Sequence, residues 1–408
     1  MHAESGARSR ELASGTPWPA MDTDQDCAAL RATSLMVQGR NWADSVRFAE
    51  VALSRPPCRD DPICVWRALV TLTAAGELTA ADAHCARLVE EVDPQLAGAE
   101  HRLAMMLRVR ARIAVQRGDL AGARAALEEL LTVPAPRPVR LVAAGWLAEV
   151  LVGLDAVDQA AALLARHDFD TAVQWRAPCR PMLLAARGVV RVAAGQAQAG
   201  LRDHLASGRG FLAQRVANPA IAPWRGRAAL AAMTVRREDL AVDLAEQELA
   251  AAQRWGEPRV LGAALATVAV VRGGDEVEQL SEAADLLEVA QARRELSLVR
   301  YQLGVRLAAR KELSAARSSL SAARTLAERV GDPRGQRAAE LALHGLGGPV
   351  EALTGKEEQV ARLARAGHGN REIAEQLAVS VRTVELRLSS AYRKLGIAGR
   401  DGLRTALR

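Results

Sequence analysis

The chain has 408 residues, half of them apolar, 3% aromatic, with a net charge of +6, which is length and apolar content enough for two or three domains with substantial cores. Ala and Leu dominate, and Val and Ile never gather into alternating runs, so the composition points to an all-α fold and away from sheets. Nucleotide chemistry of the P-loop kind is excluded as well, because the only Gly-Lys pair, Gly355-Lys356, runs into Glu357 where a Ser or Thr is needed.

Residues 1–26 are polar, lack an apolar run of signal-peptide length, and read as a disordered tail. The five cysteines, Cys27, Cys58, Cys64, Cys85 and Cys179, are odd in number and contain no CxxC pair, so neither a disulfide framework nor a zinc site is expected. They read as reduced thiols of a cytoplasmic protein. The longest uncharged stretch, residues 260–271, is too short to cross a bilayer.

Residues 27–344 alternate amphipathic runs with short breaks. Gly39, Gly76, Gly118, Gly153, Gly195, Arg237, Gly273 and Lys311 mark the breaks, at spacings of 35 to 42 residues. An acidic residue and then Leu follow many of them, as in Asp119-Leu120 and Asp239-Leu240, which suits the first turn of a helix. Helical spacing of Leu313, Ala316, Leu320, Ala323 and Val330 gives a buried stripe, and alanines let neighbouring helices approach. Two helices per period is the pattern of an α-solenoid, and RGDLAGARAALEELL resembles a tetratricopeptide repeat. Trp66, Trp146 and Trp224 are expected as wedges between hairpins. The seven histidines are scattered and form no catalytic or metal-binding motif, so no enzyme, cofactor or metal is expected. An array of this kind offers a concave surface to a small ligand or a protein.

Residues 345–352, opening Gly-Leu-Gly-Gly-Pro, read as a linker, and residues 353–408 carry +5 of the net charge, as a segment that meets a polyanion would. Thr354 and Glu357 have capping-box spacing and open a helix that ends at Gly367. Asn370 is placed to cap a second helix, with Ile373 and Leu377 inward, and Ser380 to cap a third. On that third helix Val384, Leu388, Ala391, Tyr392 and Leu395 form one apolar stripe, at 100° per residue. Arg382, Glu385, Leu386, Ser389 and Arg393 fall opposite, and Thr383, Arg387 and Lys394 lie along a flank. A leucine exposed among polar residues has no use in folding, but in a major groove it meets a thymine methyl, with Glu385 accepting from a cytosine amino group and Ser389 bonding either way. The flank would meet phosphates.

The segments LTGKEEQVARLARAG, NREIAEQLAVS, RTVELRLSSAYRKLGI and GRDGL together resemble the LuxR-type helix-turn-helix domain of bacterial regulators over about 55 residues. The resemblance implies a four-helix domain whose third helix enters the major groove of double-stranded DNA and whose last helix, roughly residues 401–407, pairs two copies. It assigns base contacts to Glu385, Leu386 and Ser389 and backbone contacts to the surroundings of Thr383 and Lys394. Arg387 stands where the family commonly has histidine. With the repeats, the chain also resembles the large LuxR-type regulators, without their ATPase module. This implies a regulator of transcription, by resemblance an activator acting through RNA polymerase. The alternative is an interaction scaffold whose C-terminal helices no longer bind DNA. Sigma-factor region four shares the Thr-Val and Arg-Leu pattern of the third helix.

Overall fold

The computed structural model describes residues 27–90, 99–274, 276–346, 353–395, 397 and 399–403. The expected tail, residues 1–26, lies outside them, as does most of the expected linker. Among the described residues there is no strand, and the elements are α-helices joined by short turns. In chain order they are α1 (Ala28–Gln38), α2 (Trp42–Ser54), α3 (Pro62–Ala74), α4 (Leu78–Glu90), α5 (Ala99–Arg117), α6 (Leu120–Thr132), α7 (Arg137–Gly153), α8 (Val157–Arg166), α9 (Phe169–Ala172), α10 (Arg180–Ala193), α11 (Ala197–Ala213), α12 (Trp224–Thr234), α13 (Glu238–Trp255), α14 (Pro258–Arg272), α15 (Val277–Val289), α16 (Arg293–Ala309), α17 (Leu313–Val330), α18 (Pro333–Gly345), α19 (Gly355–Arg365), α20 (Asn370–Gln376) and α21 (Val381–Leu395). They form two compact units, Met1–Leu296 with Ala327–Pro333, and Ser297–Leu326 with Arg334–Arg408. The division falls within α16 and α17, ahead of the linker expected at residues 345–352.

In the first unit each helix packs on the next, and often on the next but one, as α1 does on α2 and α3 and α12 on α13 and α14. Many of the turns share one backbone device. A residue at positive φ ends the helix, and the following amide bonds back to the carbonyl five residues earlier, which satisfies carbonyls the helix end leaves free. Gly76 (φ 79°) is followed by Glu77 N–H donating to Leu72 O at 3.0 Å, and Gly118 (φ 76°) by Asp119 N–H donating to Ala114 O at 2.8 Å. The sequence markers at Gly153 and Arg237 sit one or two residues off, since positive φ falls on Asp155 and Arg236. Side-chain caps start several helices. The Asp61 carboxylate accepts from Ile63 and Cys64 amides behind Pro62, and Glu257 accepts from Arg259 and Val260 behind Pro258.

Helices α10 and α11 approach closely where Gly188 and Gly200 face the partner helix. A Cβ on Gly200 would stand 2.9 Å from Gly188 O. Trp66 and Trp224 are buried, at 4% and 8% exposure, and Trp146 is half-buried. Arg108 stacks on the Trp66 ring at 4.4 Å, and Arg112 on Trp146 at 5.2 Å.

The first unit also closes on itself. Ala217 N–H donates to Val37 O at 2.9 Å, and the Asn218 side-chain amide donates to Met36 O at 2.7 Å across 182 residues of chain. Charged side chains from α7, α12, α14 and α16, all partly exposed, come together in the same unit. Arg227 bonds Glu149 at 2.7 Å, Arg259 bonds Glu295 at 3.1 Å, and Arg112 of α5 feels all four charges. Burial pushes the Arg112 guanidinium down to about 10.

In the second unit, Ser297 and Ser319 hydroxyls donate to the Ala323 and Arg300 carbonyls at 2.9 and 2.7 Å, clamping α16 to α17. The expected stripe on α17 faces inward, with Ala316 and Leu320 fully buried. Among the described residues no helix is long and apolar enough to cross a membrane.

Candidate nucleic-acid interface

The C-terminal helices α19, α20 and α21 share a core of Val360, Ala361, Ala364, Ile373, Ala374, Val384, Leu388, Ala391 and Leu403, with Leu377, Tyr392 and Leu395 packed against it. At the entry to α19, the Thr354 hydroxyl accepts from the Glu357 amide at 3.3 Å, and the Thr354 amide donates to Glu357 Oε2 at 2.7 Å. The same carboxylate then reaches α21. Ser390 Oγ donates to Glu357 Oε1 at 2.8 Å, and Lys394 Nζ donates to Oε2 at 2.9 Å. The Lys394 bond, the Thr354 amide and the Ser390 hydroxyl hold the Glu357 carboxyl down to about 2.

This corrects the expectation for Lys394. Its side chain is 11% exposed and committed to Glu357, so it ties α21 to α19 and does not lie on the flank offered to phosphates. Asn370 departs from expectation too. It is the first residue of α20, whose cap is Gly369, with the Gly369 amide donating to Glu372 Oε2 at 2.8 Å. Asn370 Oδ1 accepts instead from Arg400 Nη2 at 2.6 Å, while Arg400 Nη1 donates to His368 O at 2.7 Å. Arg400 thereby holds the α19–α20 turn from thirty residues further along the chain, a role no local pattern announces.

Between α20 and α21 the chain turns through Ala378 at φ 50°, and the Val379 amide donates to Ala374 O at 3.0 Å. It is the same closure that joins the helices of the first unit, here without a glycine. Ser380 then caps α21, its hydroxyl accepting from the Thr383 amide at 3.1 Å and bonding Thr383 Oγ1 at 2.7 Å.

These anchors fix the orientation of α21. Val384 and Leu388 are buried, at 0% and 4%, whereas Arg382, Glu385 and Ser389 are exposed and Leu386 is 63% exposed. Thr383 and Arg387 are half-buried on the flank. Val381, at 37%, extends the exposed face at the helix start and was not among the sequence candidates. The side chain of Arg393 lies outside the described residues, as does the expected last helix beyond Leu403. The face offered to solvent therefore carries a guanidinium, a carboxylate, a hydroxyl and two apolar side chains, the mixture that reads base edges.

Residues 351–405 match the family of bacterial regulatory proteins, luxR family. No curated protein sequence matches the chain. Among solved structures, the chain resembles one from the APC/C hetero-tetramer Cut9–Hcn1, at 14% identity and a TM-score of 0.51, over 85% of this chain and 60% of that one. It thus spans less than two thirds of that structure's length. A Rap protein complexed with competence and sporulation factor aligns at 11% identity and a TM-score of 0.47, over 84% of this chain and 98% of that one. A signal-transduction ATPase with numerous domains and a tetratricopeptide repeat sensor, from Pyrococcus horikoshii, aligns at 13% identity and a TM-score of 0.30, over 89% and 50%. The fold is all-α, a tetratricopeptide-like helical region followed by a LuxR-type helix-turn-helix domain.

Proposed function

We propose that this chain, with its LuxR-type DNA-binding domain, is a sequence-specific regulator of transcription in which the helical region decides when the C-terminal domain engages its site. The observation that carries the reading is the outward face of α21. Leu386 is exposed beside Arg382, Glu385 and Ser389 on a helix whose opposite face is buried at Val384, Leu388 and Ala391. A domain that spends a capping box, a buried ion pair and an arginine clamp on fixing one helix has a use for that helix's orientation.

In this reading Leu386, Glu385 and Ser389 meet base edges, with Val381 beside them, and Arg382, Thr383 and Arg387 meet phosphates. Two copies bind a two-fold-related site from the cytoplasm, and contact with RNA polymerase makes the outcome activation. The charged cluster of the first unit, where Arg112, Glu149, Arg227, Arg259 and Glu295 converge, half-buried, is where a small ligand or peptide would bias the protein. Conversion of such binding into a change at the DNA-binding domain requires a different affinity in the two states.

The test is selection of binding sites from a duplex library by the full-length protein at moderate salt. A two-fold-symmetric sequence is expected to emerge. Arg382→Ala should weaken every duplex and lower the slope of log K against log salt by about 1. Leu386→Ala should shift preference among duplexes, by roughly 1–3 kcal/mol at the contacted base pair. Library sequences left unenriched would overturn the reading in favour of the scaffold.

A further inference from the structure

The cysteines, spaced in the sequence as nothing in particular, are not scattered in space. Cys27 is the residue before α1, Cys58 opens the short turn Cys58–Asp60, and Cys64 is the third residue of α3. The Cys27 sulfur lies 3.6 Å from Cys58 Sγ and 3.6 Å from Cys64 Sγ, and all three lie within 4.8 Å of one another. A disulfide brings its sulfurs to about 2 Å, so none of these pairs is bonded. Two thiolates on a tetrahedral ion with metal–sulfur bonds of about 2.3 Å stand roughly 3.8 Å apart, and two edges of the triangle come close to that value.

The surroundings suit the same use. Cys58 and Cys64 are each 8% exposed and Cys27 is half-buried, so the cluster is walled by protein on most sides and open on one. Cys27 is the N-cap of α1 and Cys64 lies in the first turn of α3, helices of 11 and 13 residues, and the positive end of a helix favours a thiolate. Among the described residues no histidine or further carboxylate completes the group. The nearby Asp61 is already occupied as the cap of α3. A donor set of sulfur alone excludes hard cations such as Mg²⁺ and Ca²⁺.

We propose that Cys27, Cys58 and Cys64 form a three-thiolate site for one thiophilic d¹⁰ cation of the Zn²⁺ class, with a water molecule in the fourth tetrahedral position. Each thiol that ligates gives its proton to solvent, and no electron is transferred. The ion cross-links the start of α1 to the α2–α3 connection and to α3 itself. The site stands independently of the DNA-binding reading, since it involves none of the C-terminal helices.

The test is titration of the full-length, reduced, metal-free protein without oxygen. Cd²⁺ is followed by its thiolate charge-transfer absorption, and Zn²⁺ by competition with a chromophoric chelator. One equivalent per chain is expected, unchanged by Cys85→Ser and Cys179→Ser. Serine at 27, 58 or 64 should remove roughly one third of the charge-transfer band. Zn²⁺ should raise the melting temperature of the starting protein in proportion to the logarithm of its concentration, and raise that of Cys58→Ser less at every concentration. Substoichiometric binding by the unaltered protein overturns the proposal whether or not the variants fold. So does a full band in Cys58→Ser or Cys64→Ser. A readily formed disulfide at Cys27, in a protein that binds no metal when reduced, would identify the cluster as a redox pair instead.

Discussion

Two glutamates, one in the helical region and one in the C-terminal domain, are buried beside cations and titrate in opposite directions. Glu248 on α13 is 3% exposed, its Oε2 makes no hydrogen bond, and burial drives its carboxyl up to about 7 against the pull of Arg225. Glu357 on α19 has a lysine, a hydroxyl and an amide on its two oxygens and is held down to about 2. A buried charge is costly until its lone pairs are used, so hydrogen bonding and a close cation decide which way burial acts. The long helical region, with its extended apolar cores, tolerates an acid with an unused oxygen. The small C-terminal domain uses a fully engaged carboxylate as the clamp between two of its described helices, α19 and α21.

The contrast can be broken at several points, and the chain supplies its own reporter. All seven tryptophans precede residue 256, so tryptophan fluorescence follows the helical region while far-ultraviolet circular dichroism follows both. The largest effect is expected from Glu357→Ala, which strips Lys394, Ser390 and the Thr354 amide of their acceptor. Helicity and DNA binding of the C-terminal domain should be lost with the tryptophan-monitored melt unchanged. Acid should act alike, because a carboxyl lowered by folding contributes stability fully above about 4.5, its ordinary value, and loses it as pH falls toward 2. Loss of the tryptophan signal in Glu357→Ala would show that the two regions are not separately stabilised.

Glu248→Gln should do the reverse. A carboxyl raised by folding from 4.5 to about 7 costs stability above pH 7, less as pH falls between those values, and nothing below them. The glutamine variant should therefore gain on the order of 3 kcal/mol at pH 8 and nothing at pH 4, read from denaturant midpoints by tryptophan fluorescence. A smaller loss, about 1–3 kcal/mol, is expected for Gly208→Ala, since the added Cβ would lie 2.3 Å from the Trp224 ring. The smallest effect belongs to Ala378→Gly. Relief of positive φ at the α20–α21 turn should raise the melting temperature of the C-terminal domain by the equivalent of 1 kcal/mol or less, roughly.

Legibility in the sequence followed how local the cause was. The helix class, the breaks near residues 39, 76, 118 and 195 and the buried and exposed faces of α21 all come from short-range periodicity and turn chemistry, which neighbours in sequence carry. Asp155, Arg236 and Lys311 take positive φ without being glycine, because the closing hydrogen bond belongs to the backbone and the side chain only biases it. The inward commitment of Lys394, the grip of Arg400 on Asn370, and the meeting of Cys27 with Cys58 and Cys64 depend on partners 30 to 37 residues away. No spacing rule reaches that far. A wheel placed Lys394 on the flank with Thr383 and Arg387, and only packing showed that it turns to Glu357.

The junction of Met36 and Val37 with Ala217 and Asn218 bears on how the chain reaches its native state. Repeat proteins fold quickly when every contact is between neighbours. Here the carbonyls at the end of α1 wait for amides 182 residues downstream, which a ribosome delivers on the order of ten seconds later or more. During that interval the apolar end of α1, with Met36 and Val37, has Ala74 and Ala75 beside it but lacks the larger part of its cluster, which Leu201 to Val271 supply. The start of the helical region is therefore sealed only after its middle has been made, and it is a stretch where a chaperone would be of use.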